Sequence, residues 1–100
     1  MNVIEKNKGQ KIKYEVNGSK ITFGDDEITI NLAKYERDKE VQIDICRDDE
    51  KILIASLSKY YVANIIIPAR KYDEAGNPVP FSIENVTIVL WALIGDEVEV

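Results

Sequence analysis

A run of nine residues near the end of the chain, Val86–Ile94 (VTIVLWALI), contains no charged side chain. Side chains of a β-strand alternate between the two faces of a sheet, so a strand here has two faces that both avoid water. One face carries Ile88 and Leu90, and the other carries Val89 and Trp91. Such a strand must be covered on both sides, either by the rest of the domain or by another subunit.

The chain has 100 residues, of which 45% are hydrophobic and 31% are charged, as in an ordinary globular protein. We expect a single domain over residues 1–100, with residues 1–8 frayed and an acidic tail at residues 95–100. The apolar runs are shorter than the roughly 20 residues of a membrane-spanning helix, and the first residues lack the hydrophobic region of a signal peptide. These features predict a cytoplasmic protein without a membrane partner.

The net charge and the missing residue types exclude several classes of function. The net charge of -5 argues against binding to the phosphate backbone, so we expect no nucleic-acid partner. The chain has no histidine, which removes the commonest general base and the commonest neutral metal ligand. The single cysteine, Cys46, allows no internal disulfide and no thiolate cluster. We therefore expect no enzyme activity, no cofactor and no structural metal.

The segment Lys11–Gly24 (KIKYEVNGSKITFG) is typical of a β-hairpin. We interpret Asn17-Gly18 as the two central residues of a type I′ turn, which both need a positive φ. This turn places three pairs opposite each other on one face: Val16 with Ser19, Tyr14 with Ile21, and Ile12 with Phe23. A turn at Gly24-Asp25-Asp26 and an alternating run to Leu32 then predict a three-stranded meander.

The middle of the chain predicts further strands. Residues 41–46 alternate as a strand, with Cys46 on its polar side. A turn at 47–50 then leads into an uncharged strand at 52–57, which we expect near the sheet centre or under a covering layer. Residues 33–40 are expected to form a loop with one helical turn. We favour a strand for residues 57–67, although Leu57–Ile65 also fits one face of a helix. For the long connection after Pro68, the sequence predicts a turn at Gly76-Asn77.

These elements predict a mainly β fold of six to seven antiparallel strands, arranged as a small sandwich or a partly closed barrel. The alternative is an α+β fold in which one helix packs on the sheet.

Aromatic and basic residues are the candidates for contact with a partner, because Tyr and Trp combine a large apolar area with one polar atom. The candidate interaction residues are Tyr60, Tyr61, Arg70, Tyr72 and Trp91. The site around Arg70 and Tyr72 gives an acidic molecule a basic end, which suits contacts between subunits.

Carboxylate side chains are the candidates for metal binding or catalysis. Hard cations bind converging carboxylate oxygens, which allows a metal-binding module or carboxylate-dependent enzyme built from Asp25, Asp26, Asp44, Asp48 and Asp49. Their spacing matches no EF-hand loop, so we interpret them as solvated turn residues. A third hypothesis is an acidic inhibitor of a nucleic-acid enzyme, which requires one contiguous negative surface. We interpret Cys46 as a structural cysteine, since Arg47 is the only adjacent cation that could activate its thiol.

The last third of the chain combines the run IIIPARKY, an acidic insert with Gly and Pro, and the run VTIVLWAL. In this order, over Ile65–Leu93, the chain resembles short proteins encoded in phage and prophage gene sets, most of which have no assigned activity. The resemblance implies a virion-related or accessory structural role and provides no catalytic residues. The leading hypothesis is a non-enzymatic structural or protein-interaction subunit that associates with itself or with another subunit.

Overall fold

The computed structural model describes residues 1–47, 52–55 and 60–93. These residues form eight strands and two short 3-10 turns, at Leu32–Tyr35 and Ile83–Asn85, and contain no α-helix. The strands are β1 (Asn2–Glu5), β2 (Tyr14–Asn17), β3 (Lys20–Phe23), β4 (Ile28–Asn31), β5 (Val41–Arg47), β6 (Leu53–Ile54), β7 (Tyr60–Ile67) and β8 (Thr87–Leu90). The predicted mainly β fold is confirmed, and the described part of the alternative helix is strand β7. No helix of the described residues is long and apolar enough to cross a bilayer.

The strands form two sheets that pack as a sandwich and not as a closed barrel. One sheet has five strands in the order β1-β8-β7-β5-β6, and the other is the meander β2-β3-β4. A single hydrophobic core joins them, to which the small sheet contributes Ile21 and Phe23 and the large sheet contributes Ile45, Ile65 and Ile88. All five of these side chains are fully buried. The meander therefore covers one face of the five-stranded sheet, which we call the inner face.

The first hairpin forms, but with a different turn and register from the prediction. Asn17 pairs with Lys20, so the central turn residues are Gly18 and Ser19, and only Gly18 has a positive φ, of 63°. Glycine at the first central position is the signature of a type II′ turn, which needs no positive φ at Asn17. The observed pairs are Tyr14 with Phe23 and Val16 with Ile21. The register differs by two residues, so the apolar side chains still meet on the predicted face.

The second predicted hairpin is present as β5 and β6, which pair antiparallel. A central position for its second strand is wrong, because β6 has only two residues and lies at the edge of the sheet. Leu53 of β6 is nevertheless buried in the core, as the alternative position under a covering layer predicts. Ile52 is half exposed, consistent with an edge and not with a central strand. The predicted turn at Asp48–Glu50 lies outside the described residues.

The uncharged C-terminal segment forms β8, which lies between β7 and β1. Ile88 and Leu90 are buried in the core, whereas Val89 and Trp91 are half-buried on the opposite face. The residues expected to fray include β1, which instead pairs with β8 as a parallel edge strand. The pairing of β1 with β8 is long-range in sequence, and the four residues of β1 are all exposed. A local pattern of buried and exposed residues therefore did not indicate this strand. Ile94 and the predicted acidic tail at 95–100 lie outside the described residues.

Candidate protein-interaction surface

The face of the five-stranded sheet turned away from the meander, which we call the outer face, carries several predicted interaction residues. Register places Asp44, Asn64 and Val89 side by side across β5, β7 and β8, and Ile4 beside Val89 extends this row onto β1. The next row contains Gln42, Ile66 and Thr87. The outer face is therefore apolar toward β1 and polar toward β5.

A β-bulge brings Tyr61 onto the outer face. Ile45 pairs with Ala63, but the next residue, Cys46, pairs with Tyr61, so Val62 is an extra residue on β7. Val62 and Ala63 both join the hydrophobic core. A bulge interrupts the alternation of a strand, so the residue before it changes face. Strict alternation would have directed Tyr61 into the core.

Tyr61 and Trp91 form a stacked pair on the outer face. Their ring centroids lie 5.4 Å apart with an interplanar angle of 23°, within the range of favourable offset stacking. The ammonium group of Lys6 lies 5.8 Å from the centroid of the Trp91 ring, which is a cation–π distance. Tyr61 remains 37% exposed, so the pair presents an aromatic surface to the solvent.

A row of polar side chains holds Trp91 in place. The indole Nε1 of Trp91 donates a hydrogen bond of 2.5 Å to Oδ1 of Asn64, and Nδ2 of Asn64 donates one of 2.8 Å to Oδ1 of Asp44. Nε2 of Gln42 donates to the same Asp44 oxygen at 2.9 Å. Asn64 is only 8% exposed and is the one buried polar residue of the described chain. Both the oxygen and the nitrogen of its side-chain amide are hydrogen-bonded, so the row of polar side chains restricts the orientation of the Trp91 indole.

The structure places Arg70 and Tyr72 in a separate cluster beyond the other end of β7. The Arg70 guanidinium contacts Oε1 of Glu36 at 3.5 Å and Oδ1 of Asp38 at 3.3 Å, and the Tyr72 hydroxyl donates to the same Asp38 oxygen at 2.5 Å. The hydrogen bond with Tyr72 and the carboxylates of Asp38 and Glu36 raise the pKa of Arg70 above its ordinary value. The charge of Arg70 is thus compensated by two neighbouring carboxylates, so Arg70 does not by itself provide the predicted basic end.

The cluster organises the connection between β7 and β8. The backbone N–H of Arg70 donates to the carbonyl of Arg37, and Tyr72 forms a β-bridge with Pro78. The turn at the tip runs from Asp73 to Gly76, where the Asp73 carboxylate accepts bonds from the N–H groups of Ala75 and Asn77. It precedes the predicted turn because the Asp73 side chain stabilises this position.

The remaining candidates lie apart. Tyr60 is half-buried opposite Arg47, and Cys46 is fully buried opposite Tyr61. Cys46 therefore fits the structural interpretation and not that of an accessible thiol. In the described part of the chain, no three carboxylate or cysteine side chains gather as a possible metal site. Asp44 belongs to the hydrogen-bonded row, Asp25 and Asp26 lie in the turn between β3 and β4, and Asp48 and Asp49 lie outside the described residues.

A concave region with a volume of about 120 Å³ lies at the edge between the two sheets, away from the aromatic pair. Its charged side chains are joined in ion pairs, of which Arg47 with Glu27 has a distance of 3.2 Å and Lys13 pairs with Asp25. Acids and bases alternate here, contrary to the single negative surface that an acidic inhibitor requires. The Arg47–Glu27 pair connects the two sheets at their rim, because Arg47 lies on β5 and Glu27 lies just before β4. The Lys13–Asp25 pair lies within the meander, and a solvent-exposed pair of this kind contributes little free energy.

Sequence reasoning identified Tyr61 and Trp91 but missed Asn64, Gln42 and Lys6. The signal for Asn64 was available, because it is the only polar residue within the apolar run VANIII. A polar residue at such a position needs a buried partner, and Trp91 is the only tryptophan of the chain. Neither Gln42 nor Lys6 has a local signal, since both depend on which strands become neighbours.

No protein-family model matches the chain, and searches of curated proteins and of solved structures found no significant similarity.

Proposed function

We propose that this protein is a non-enzymatic interaction subunit that binds a partner protein through the outer face of its five-stranded sheet. The observation that carries the proposal is the stacked pair of Tyr61 and Trp91, held by the buried amide of Asn64 on a face that the meander does not cover. Rigid, partly exposed aromatic side chains are the residues that most often dominate the energy of protein interfaces.

The composition of the outer face supports a protein partner. Its centre is apolar or hydrogen-bonded, with Val89 and Ile4 in the row of Asn64 and with Ile66 in the next row. Its charges, Asp44 and Lys6, lie beside the pair, where a polar rim is typical of interfaces. A flat sheet face with one aromatic anchor fits a folded surface better than a small molecule, which needs a concave pocket.

The biological role that we propose is structural or accessory. The chain has no histidine. On the described part of the outer face, Asp44, Asn64 and the Trp91 indole are bonded in one row, which supports a binding surface and not a catalytic site. The resemblance of residues 65–93 to phage and prophage proteins supports a virion-related or accessory role as part of the same proposal. The cytoplasm of a host cell, or the virion itself, is the compartment that follows from it.

Substitution of Tyr61 tests the proposal. Tyr61→Ala removes the exposed ring and leaves Trp91 hydrogen-bonded, so we expect retention of the fold and a loss of partner affinity of at least about tenfold. Tyr35→Ala is the matched control, because Tyr35 is 42% exposed and lies in the 3-10 turn Leu32–Tyr35, away from the outer face. Partners captured from the native host by the wild-type protein are purified, and their affinities for the three proteins are compared by calorimetry.

Equal affinities of the Tyr61→Ala and Tyr35→Ala variants for every purified partner would reject the outer face as the binding surface. Circular dichroism and urea unfolding of each variant separate loss of contact from loss of fold.

A further inference from the structure

Strand β1 is an open edge of the five-stranded sheet. Among the residues that the structure describes, it pairs with β8 on one side only, and its exposed side chains include Val3 (44%) and Ile4 (50%). Natural edge strands are protected by lysine, proline, a bulge or extreme shortness. The four residues of β1 contain no lysine and no proline, their one charged side chain, Glu5, is ion-paired with Lys11, and their register with β8 is regular. By contrast, the opposite edge strand, β6, is only two residues long.

The backbone hydrogen bonds of β1 identify which of its groups are open. The N–H of Asn2 donates to Val86 and the N–H of Lys6 donates to Leu90. In a parallel ladder, alternate residues direct both backbone groups to the same neighbour, so the even-numbered residues of β1 serve β8. The N–H and C=O groups of Val3 and Glu5 therefore point toward the open edge.

We propose that β1 pairs with β1 of a second copy of this chain, antiparallel about a two-fold axis, with Ile4 facing Ile4 of the second copy. This register joins Val3 of each copy to Glu5 of the other, and each such pair exchanges two hydrogen bonds. All the open backbone groups of β1 are then satisfied. The open edge of β1 is thus self-complementary, since Val3 and Glu5 supply the hydrogen-bond donors and acceptors in both copies.

The alternative two-fold registers are less favourable. Centring the pair on Glu5 places two carboxylates directly opposite each other, which is destabilising. Centring it on Val3 joins Glu5 to Met1, which lies outside β1, and leaves a shorter overlap of the strands. In the register centred on Ile4, each Glu5 faces an apolar Val3 and keeps Lys11 as its ion-pair partner at 3.8 Å.

Side chains on the outer face also favour this register. Ile4 neighbours Val89 within each copy, so the pairing forms one apolar row of Val89, Ile4, Ile4 and Val89 across the axis. The Ile4 pair is not hydrogen-bonded, which places its Cα atoms about 4.5 Å apart and its side chains in contact. Pairing of two four-residue strands buries less surface area than a stable interface of about 1,200 Å². We therefore expect a weak dimer that forms only at high protein concentration.

Amide hydrogen exchange tests the pairing on the whole chain. As the protein concentration rises from about 20 μM to about 1 mM, exchange at the Val3 and Glu5 amides should slow several-fold, whereas Asn2 and Lys6 should not change. Asn2 and Lys6 are internal controls because they are already bonded to β8. Unchanged exchange at Val3 and Glu5 up to the highest concentration would overturn the proposal.

Disulfide crosslinking tests the register. In a Cys46→Ser background, Ile4→Cys should form a covalent dimer at least about tenfold faster than Ile52→Cys, because the paired Cα atoms lie within disulfide range. Ile52 is the matched control, since it is 51% exposed and adjoins the opposite edge strand. Equal rates, or faster crosslinking of Val3→Cys than of Ile4→Cys, would contradict the proposed register. Because neither test involves Tyr61, their failure leaves the outer-face proposal standing, and the reverse also holds.

Discussion

Asn64→Asp replaces the nitrogen of a buried amide by oxygen and removes a hydrogen-bond donor at the centre of the outer face. In the wild-type protein, Nδ2 of Asn64 donates to Asp44 at 2.8 Å, and Oδ1 of Asn64 accepts from Trp91 at 2.5 Å. The variant keeps the acceptor for Trp91 but places two carboxylate oxygens against each other. We expect a clear loss of stability with almost no change in side-chain volume.

Two contributions set the magnitude. A hydrogen bond to a charged acceptor contributes about 1.5 to 3 kcal/mol, and it is lost. The repulsion between the carboxylates is limited because one of them can bind a proton instead. For a carboxyl with an ordinary pKa near 4, protonation at pH 7 costs about 4 kcal/mol, since each pH unit corresponds to about 1.4 kcal/mol. Asp44 is half-buried, so water screens part of the repulsion. We expect a loss of about 2 to 4 kcal/mol at pH 7.

The sign of the pH dependence follows from proton binding. As the pH falls from 7 toward 4, the folded variant binds a proton between its two facing carboxylates at a higher pH than the unfolded chain does. The free energy of unfolding therefore rises as the pH falls, by up to about 1.4 kcal/mol per pH unit. Relative to the wild-type protein, the variant should recover most of its stability near pH 4.5.

Urea unfolding followed by the fluorescence of Trp91 measures both effects, because the only tryptophan of the chain touches the altered residue. The control is the exchanged pair Asp44→Asn with Asn64→Asp. It restores an amide donor opposite a carboxylate acceptor, so its stability should return to within about 1 kcal/mol of the wild type. A single variant as stable as the wild type at pH 7, or an exchanged pair no more stable than the single variant, would refute the hydrogen-bonded row.

Three further experiments test the fold. Gly18→Ala should cost about 1 to 2 kcal/mol in urea unfolding, because Gly18 has a φ of 63° and a Cβ there meets no atom within 4 Å, so any loss reflects the backbone. Ile65→Ala should cost about 2 to 5 kcal/mol and Ile52→Ala under about 1 kcal/mol in calorimetric melting, since only Ile65 is fully buried. The Cys46 thiol should react with a thiol reagent no faster than the protein unfolds, and rapid reaction of the folded protein would contradict its burial.

Alternation and turn residues were sufficient to predict most strands of the sandwich. The meander, the pairing of β5 with β6, and the strand at β7 all follow from period-two patterns bounded by turn residues. The hairpin register did not follow, because Asn17-Gly18 and Gly18-Ser19 are both acceptable two-residue turns. They differ by two residues in register and direct the same side chains to the same face, so the hydrophobic pattern cannot separate them.

The candidate surface depends on features that alternation cannot predict. Tyr61 reaches the outer face only because Val62 is bulged, and nothing in the run YYVANIII marks that position. The pairing of β1 with β8 joins residues more than eighty positions apart in the sequence. Such pairings are determined by the packing of the complete domain, so local sequence predicted the aromatic residues but not their assembly.

Within the part of the chain that the structure describes, the second apolar face of β8 is covered by side chains and not by another layer of secondary structure. Tyr61 lies against one side of the Trp91 indole, Lys6 lies within cation–π distance, and Asn64 binds the indole nitrogen. These contacts leave Trp91 half-buried within one copy of the chain, so the described fold does not require a partner to shelter it. A partner on the outer face then gains mainly the exposed area of Tyr61 and the adjacent apolar side chains. Because that area is small, the interaction we propose should be reversible and sensitive to single substitutions, in contrast to an obligate interface that resembles a divided core.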